Sequence, residues 1–184
     1  MTAGVLLTGG ASRRMGVDKA TLVVAGETLA HRAARVLSTA CSPVIEVGSG
    51  ATSLPCVRED PPGEGPLAGF LVGAATLALA GDATIVLLAC DLPFVDDAVV
   101  RMLVEHPGNG SIVPTVEGRR QYACSRWSAA AIASARVAFA QGERAMRALL
   151  GAGDATFVVA DAHAHALADV DTPDDLARLG LVAS

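Results

Sequence analysis

The residue pattern with the clearest chemical content is L-T-G-G-A-S-R-R-M-G-V-D-K, at residues 7–19. Paired glycines let backbone N–H groups approach an anion closely. Arg13, Arg14 and Lys19 add fixed positive charge and donors that match phosphate oxygens. The combination predicts a loop that binds a polyphosphate. We favour this over the alternative, a glycine-rich turn with a solvated basic tail.

The spacing within this loop excludes the two commonest glycine-rich phosphate motifs. A Walker A loop closes on Gly-Lys-Ser or Gly-Lys-Thr, and neither follows the glycines here. The pattern G-x-G-x-x-G is missing as well, which disfavours a dinucleotide-dependent oxidoreductase of the Rossmann type. The loop therefore predicts a polyphosphate site of another kind.

The carboxylate of Asp91 is a second candidate functional group. It follows the apolar run T-I-V-L-L-A at residues 84–89, which is typical of a central strand buried on both faces. Ligands of parallel sheets bind at the carboxyl ends of the strands. Since Mg²⁺ is commonly held by one or two carboxylates together with substrate phosphates, we favour a magnesium ligand at Asp91 over a helix-capping or loop residue.

Asp169 and Asp171 form a third candidate, because alternate residues of an extended segment point the same way. We take Asp171 as a second metal ligand, with Asp169 as the alternative. The competing interpretation is that Asp171 or Thr172 simply caps the last helix. Asp174 and its neighbour fall in the first turn of that helix, where carboxylates complement the helix dipole.

Other polar residues give weaker signals. Asp60 lies in a Gly- and Pro-rich segment at 58–69, where a ligand contact and an ordinary surface loop fit equally well. His163 and His165 lack a nearby third ligand, so we expect ordinary histidines and not a metal site. The cysteines at 41, 56, 90 and 124 have neither C-x-x-C nor zinc spacing, which predicts reduced, buried residues of a cytoplasmic protein.

Apolar runs alternate with segments of helical periodicity along the chain, which predicts a mostly parallel sheet with helices on both faces. Strands are predicted at Val5–Thr8, Leu22–Val24, Val44–Val47, a short piece ending at Val57, Thr84–Ala89, Ser111–Pro114, Gln121–Ser125 and Thr156–Val159. Helices are predicted at Glu27–Ala40, Leu67–Ala80, Asp96–Glu105, Ser128–Ala140, Glu143–Leu150 and Asp174–Leu179.

Composition limits the classes of protein to consider. The 184 residues predict a single domain over 1–184 with a proper core. The net charge of −5 argues against a general nucleic-acid-binding protein. No apolar run reaches the roughly 18 residues that span a bilayer, and no signal peptide is visible, so we expect a cytoplasmic protein.

Several of these motifs together resemble the MobA-like nucleotidyltransferases. The loop at residues 7–19 is similar to the family pattern L-A-G-G-x-S-x-R-M-G-x-D-K. The family's later motifs follow in order and spacing, as G-P-L-A-G at 65–69, C-D-L-P-F at 90–94, Q-G-E-R at 141–144 and D-V-D-T-P-D-D-L at 169–176. The resemblance covers essentially the whole chain.

The resemblance implies a fold and a reaction. The fold is a three-layer α/β/α, Rossmann-like arrangement of the nucleotide-diphospho-sugar transferase type. In the reaction, a terminal phosphate of molybdopterin attacks the α-phosphorus of GTP, which releases pyrophosphate and forms molybdopterin guanine dinucleotide. Mg²⁺ is the implied cofactor. The implied partners are GTP and molybdopterin as substrates, together with molybdenum-insertion or molybdoenzyme-maturation proteins, and neither nucleic acid nor membrane.

The resemblance also assigns roles to individual residues. Asp91 and Asp171 would hold Mg²⁺, while Lys19 and Arg14 would neutralise charge as pyrophosphate leaves. The residues that would bind the nucleotide are Leu7, Thr8, Gly9, Gly10, Lys19, Asp60 and Asp91, with Asp60 on the guanosine part. Arginines at 119, 120, 126, 144 and 147 could offer cations to the pterin phosphate, or form a solvated basic face.

Three departures from the family pattern bear on the choice of base. Thr8 replaces the usual alanine, and Val47 or Gly48 stands where a guanine-side asparagine is expected. The late motif is Asp-Val-Asp, a form commoner among cytidylyltransferases, where guanylyltransferases often have Asn-x-Asn. Against cytidine, Asp18-Lys19 is the guanylyltransferase form of the loop.

Two alternative functions remain from the sequence. The first keeps the chemistry and changes the substrates, as in a CTP-dependent molybdopterin cytidylyltransferase or a sugar-phosphate nucleotidylyltransferase. The second is a nucleotide-binding cofactor chaperone without turnover, which the presence of both Asp91 and Lys19 disfavours.

Overall fold

The computed structural model describes residues 1–9 and 18–181, so Gly10, Arg13 and Arg14 of the predicted phosphate loop lie outside the described residues. In the described part of the chain, the strands are β1 (Thr2–Leu7), β2 (Val23–Val24), β3 (Glu27–Thr28), β4 (Val44–Val47), β5 (Cys56–Val57), β6 (Thr84–Ala89), β7 (Ser111–Val116), β8 (Arg119–Arg120), β9 (Cys124–Trp127) and β10 (Ala155–Val159). The helices are α1 (Leu29–Ser38), α2 (Pro66–Leu77), α3 (Asp97–Glu105), α4 (Ala129–Ala140) and α5 (Pro173–Arg178), with 3₁₀ turns at Lys19–Thr21, Met146–Ala152 and Asp161–His163.

One large mixed sheet organises these elements, in the order β10-β7-β9-β6-β1-β4-β5, with β8 paired to β7. β1 runs parallel to both β4 and β6, and β5 continues this parallel part beside β4. β9 is antiparallel to β6 and β7. The prediction of a central position for Thr84–Ala89 is therefore confirmed, and the carboxyl ends of β1, β4, β5 and β6 share one edge.

Two apolar cores lie on opposite faces of this sheet, because successive strand residues alternate in direction. Leu6 and Leu88 pack towards α1 and α3. Leu7 and Leu87 pack towards α2 and α4. The predicted three-layer arrangement, with helices on both faces, is confirmed. No helix in the described part of the chain is long and apolar enough to cross a membrane.

Several predicted boundaries are corrected by local hydrogen bonding. The predicted helix Glu27–Ala40 begins only at Leu29, because the turn at Ala25-Gly26 pairs β2 with β3 and the Thr28 side chain caps α1. The predicted helix Glu143–Leu150 is replaced by the later 3₁₀ turn, since the Glu143 carboxylate accepts the two amides that follow it. Of the four cysteines, Cys56 is exposed, contrary to the prediction that all are buried.

Arg126 of β9 has a structural position that the sequence does not reveal. Its side chain is almost fully buried, with 2% exposure. The guanidinium donates to carbonyl oxygens of Leu103, His106 and Gly108, each at 2.9 Å, where α3 ends. These carbonyls have no helical partner of their own, so the arginine closes the end of α3. Arg126 belongs to neither a solvated basic face nor a surface that contacts substrate.

We therefore expect Arg126→Lys to lower the free energy of unfolding by about 3 kcal/mol, because an ammonium group cannot reach all of these buried carbonyls. The exposed Arg136 provides a control: Arg136→Lys should change it by less than about 0.5 kcal/mol. Urea unfolding followed by far-UV circular dichroism measures both values. Equal midpoints for the two variants would contradict the capping interpretation.

Candidate active site

The candidate site lies where the central strands β1 and β6 end side by side. Leu7 is in register with Ala89, and the Cys90 amide donates to the Leu7 carbonyl at 3.0 Å. The two strand ends therefore place Thr8 and Asp91 at one edge of the sheet. The prediction that Asp91 follows a central strand at the carboxyl edge of the sheet agrees with this arrangement.

Asp91 is held in a largely desolvated environment. Its side chain is 25% exposed, yet its Oδ1 atom is buried and has no hydrogen-bond partner among the described residues. Burial raises the pKa of Asp91 to about 6; Lys19 opposes this shift, whereas Asp171 and Asp169 add to it. An unpartnered buried carboxylate oxygen beside other carboxylates is electrostatically costly, and a cation relieves this cost.

Lys19 connects the start of the chain to this carboxylate. Asp18 caps the short 3₁₀ turn by accepting the Ala20 amide at 3.0 Å, and buried Ala20 anchors the turn in the core. The Lys19 ammonium then lies 3.8 Å from Asp91 Oδ2 and 2.5 Å from Asp171 Oδ1. Lys19 therefore pairs with carboxylates from two segments that are far apart in the sequence.

Asp171 reaches the site from the far end of the chain. The Val170 amide donates to the Asp91 carbonyl at 2.9 Å, which ties this segment to the end of β6. Next to it, Thr172 and Asp175 form a capping box for α5, and Asp175 also accepts the Asp171 amide at 3.1 Å. The helix cap is therefore Thr172, which leaves the Asp171 carboxylate directed at Lys19.

The two carboxylates fit a divalent cation that shares its ligands with a substrate. Asp91 and Asp171 meet at Lys19, and within residues 1–9 and 18–181 no group of three metal-ligating side chains forms. Mg²⁺ needs no such group, because it commonly takes one or two carboxylates together with phosphate oxygens and water. The unpartnered Oδ1 atom of Asp91 is suited to that role.

Asp60 follows β5, the outer strand of the parallel part of the sheet. It is exposed in the loop after β5, and in the described part of the chain it forms no ion pair with Lys19. Its neighbour Glu59 contacts the protein instead: Glu59 accepts the Gly63 amide at 3.1 Å, and its carboxylate lies against Gly69 of α2. A side chain at position 69 would displace this carboxylate, so the glycine of G-P-L-A-G allows the loop to close on the helix.

The Q-G-E-R segment contacts the loop between β5 and α2. The Arg144 guanidinium lies 3.1 Å from Glu64 Oε1 and stacks 3.9 Å above the Phe139 ring. This pair joins the end of α4 to the start of α2. The two motifs therefore form one rim beside the carboxyl edge of the sheet, a proximity that their separation in sequence does not indicate.

Glu46 is a residue of the site region that the sequence analysis missed. It is fully buried in β4, and the Thr8 hydroxyl donates to its carboxylate. The sequence does contain a signal for Glu46, because it is a charged residue within the apolar run V-I-E-V. Among the remaining candidates, His165 stacks on Phe94 with ring centroids 4.0 Å apart, in agreement with the prediction of an ordinary histidine.

The chain is a nucleotidyltransferase, and the lysine and two carboxylates at this edge of the sheet fit that class. The sequence model of the MobA-like NTP transferase domain matches residues 4–157, and the chain belongs to this family. Molybdenum cofactor guanylyltransferase from Rhodobacter capsulatus is 34% identical over 184 residues, which cover 96% of this chain and 93% of that protein.

Solved structures agree on the fold. Molybdopterin-guanine dinucleotide biosynthesis protein A from Archaeoglobus fulgidus superimposes with a TM-score of 0.75 at 21% identity, covering 97% of this chain and 96% of that one. A protein from Mycobacterium tuberculosis, solved in complex with manganese, gives a TM-score of 0.69 at 20% identity, covering 97% of each chain.

The raised pKa of Asp91 predicts a pH dependence of stability. Between about pH 4 and pH 6 the folded protein retains a proton on Asp91 that the unfolded chain has released, so this group's contribution to stability falls as the pH rises through that interval. Asp91→Asn removes the titrating group. We expect the variant to become progressively more stable than the wild type from about pH 4 to pH 7.

Urea midpoints measured across this pH range, in the presence of a chelator, test the expectation. Asp82→Asn, at an exposed turn, is the matched control and should give a constant difference from the wild type. A constant difference for Asp91→Asn as well would contradict the assigned burial.

Proposed function

We propose that this protein transfers the guanylyl group of GTP to the terminal phosphate of molybdopterin, forming molybdopterin guanine dinucleotide and pyrophosphate. The observation that supports it most directly is the convergence of Lys19, Asp91 and Asp171, with one Asp91 oxygen that has no partner among the residues that the structure describes. The names of the relatives support the choice of substrates.

The bond changes define what the site must do. An oxygen of the molybdopterin phosphate forms a bond to the α-phosphorus of GTP, and the bond from that phosphorus to the bridging oxygen breaks. The electron pair leaves with pyrophosphate. Such chemistry depends mainly on positioning and charge neutralisation. Lys19 supplies positive charge for the departing pyrophosphate, and Arg14 is proposed to assist it.

Asp91 and Asp171 are proposed to hold Mg²⁺. When bound, the ion neutralises charge on the triphosphate. The two carboxylates would hold the ion, and the Lys19 ammonium group beside them would interact with phosphate oxygens. Leu7, Thr8, Gly9 and Gly10 are proposed to line the nucleotide, and Asp60 to contact its guanosine part.

The proposed setting is the cytoplasm. Free cysteines, including the exposed Cys56, are compatible with a reducing compartment. Proteins of molybdenum insertion or molybdoenzyme maturation are the proposed partners that supply or receive the pterin.

The metal and lysine assignments predict the effects of two substitutions. Asp91→Ala should abolish pyrophosphate release while GTP binding survives in part, and Lys19→Met should reduce the rate by about 10²- to 10⁴-fold. A coupled phosphate assay with GTP, molybdopterin and Mg²⁺ gives the rates, and calorimetry gives GTP binding. Asp174→Asn, an exposed carboxylate in the first turn of α5, is the control with an unchanged rate. Normal turnover by Asp91→Ala would show that the metal assignment is wrong.

The choice of base is tested by offering each of the four NTPs with molybdopterin. We expect GTP to give the highest kcat/KM for pyrophosphate release. A preference for CTP would establish the cytidylyltransferase alternative, which the Asp-Val-Asp motif favours. Equal use of all four would exclude any base-specific function, and nucleotide binding without turnover would point to a cofactor chaperone.

A further inference from the structure

A buried carboxylate organises the loop after β4, next to the proposed nucleotide site. Glu46 is 0% exposed, and its register with Leu6 places it on the same face of the sheet as Thr8, which lies two residues beyond Leu6 and just past the end of β1. Its Oε1 atom accepts the Thr8 hydroxyl together with the amides of Gly50 and Ala51, the latter two at 2.8 Å.

The second oxygen of this carboxylate is satisfied by a single residue. Glu46 Oε2 accepts the Thr52 amide at 2.9 Å and the Thr52 hydroxyl at 2.7 Å. Burial raises the pKa of Glu46, but the hydrogen bonds from Thr8, Thr52 and the loop amides outweigh it and bring the pKa below its ordinary value. The carboxylate is therefore ionised at neutral pH, and the loop at residues 48–52 is folded around its charge.

The same loop is in direct contact with the proposed nucleotide-binding segment. The Ser49 amide donates to the Thr8 hydroxyl oxygen at 3.2 Å. Gly48 has a φ of +144°, and a Cβ atom there would lie 2.6 Å from that oxygen and overlap the Gly9 amide. Any side chain at position 48 would therefore push Thr8 and Gly9 out of place.

This packing leaves the end of β4 without a side chain that could face a base. Val47 is 1% exposed and belongs to the core on the α2 side of the sheet. Gly48 has no side chain to offer. Beyond them, Ser49 and Gly50 are exposed. The amides of residues 48–52 all donate within the protein, to Val57, Thr8 and Glu46, so the backbone groups that remain for a ligand at this edge are carbonyl oxygens.

We infer that Glu46 is a positioning residue for base recognition: it holds the main chain of residues 48–52 so that backbone carbonyl groups, and not a side chain at position 47 or 48, select the base of the NTP. The inference rests on the proposed nucleotidyl transfer. It explains why Thr8 replaces alanine in the loop, since only a hydroxyl both donates to Glu46 and accepts from Ser49.

The test is Glu46→Gln. The substitution preserves size, but the new side-chain N–H group would face the hydroxyl and amide donors that surround Glu46. We expect the variant to select its base less well. KM for GTP should rise about tenfold or more, while kcat should stay within about twofold. The preference for GTP over CTP and ATP should fall by about the same factor as KM rises. Amide hydrogen exchange should become faster at residues 48–52. Glu46→Asp should restore part of the selectivity, because it keeps the charge.

Thr8→Val gives an independent route to the same result, since it removes the hydroxyl with little change in shape. It should raise KM and lower selectivity, as Glu46→Gln does, but by a smaller factor. If Glu46→Gln does not fold, Thr8→Val alone tests the positioning role. Ser111→Ala is the control: this equally buried serine donates to Asp154 at 3.1 Å, remote from the site. Its loss should lower the urea midpoint and leave KM and selectivity unchanged.

Unchanged KM and selectivity in folded Glu46→Gln or Thr8→Val would overturn the positioning role while leaving nucleotidyl transfer intact. Calorimetric binding of GTP separates the remaining cases. If the wild type binds GTP in a Glu46-dependent way but releases no pyrophosphate, the proposed transfer fails and the positioning role stands. If the wild type neither binds GTP nor turns over, both are wrong.

Discussion

The site depends on a negative charge held at the end of the central strand, where it is largely desolvated. Within residues 1–9 and 18–181, one Asp91 oxygen has no hydrogen bond, and the other lies 3.8 Å from Lys19. Such a group is unfavourable for folding, and the surrounding sheet must compensate for it. The compensation comes from the continuous β4-β1-β6 core, whose strands are buried on both faces and fix the direction in which Asp91 leaves β6.

Two carboxylates at this edge have opposite environments. Glu46 is surrounded by hydroxyl and amide donors, so its charge is stabilised and its loop is held in place. Among the described residues Asp91 has no such set of donors, and burial raises its pKa to about 6. The contrast separates a carboxylate that shapes the protein from one that is available to a cation.

Strands and helices with strong periodicity were predictable from the sequence. Val44–Val47 and Thr84–Ala89 match the observed strands at both ends, since both are apolar runs with clear breaks. The meeting of Lys19 with Asp171 was not predictable from spacing, because it depends on the Val170 amide reaching the Asp91 carbonyl. The resemblance to the MobA-like family, and not the periodicity of the sequence, was the basis for assigning these residues to one site. For Arg126 the sequence was misleading. An arginine is expected to face solvent or to bind an anionic ligand, but the carbonyl groups that Arg126 contacts become available only because of how α3 ends.

The order of the strands in space has a consequence for how the chain acquires its site during folding. β1 is made early but lies between β4 and β6, so its pairing with β6 must wait for more than seventy further residues. Such long-range parallel pairing is slow to form and leaves apolar strand edges uncovered meanwhile. Asp171 arrives later still, from a segment that follows every strand of the sheet. A growing chain therefore makes β1 and Asp91 first, and Lys19 gains its second carboxylate only after the later segment that carries Asp171 has been made.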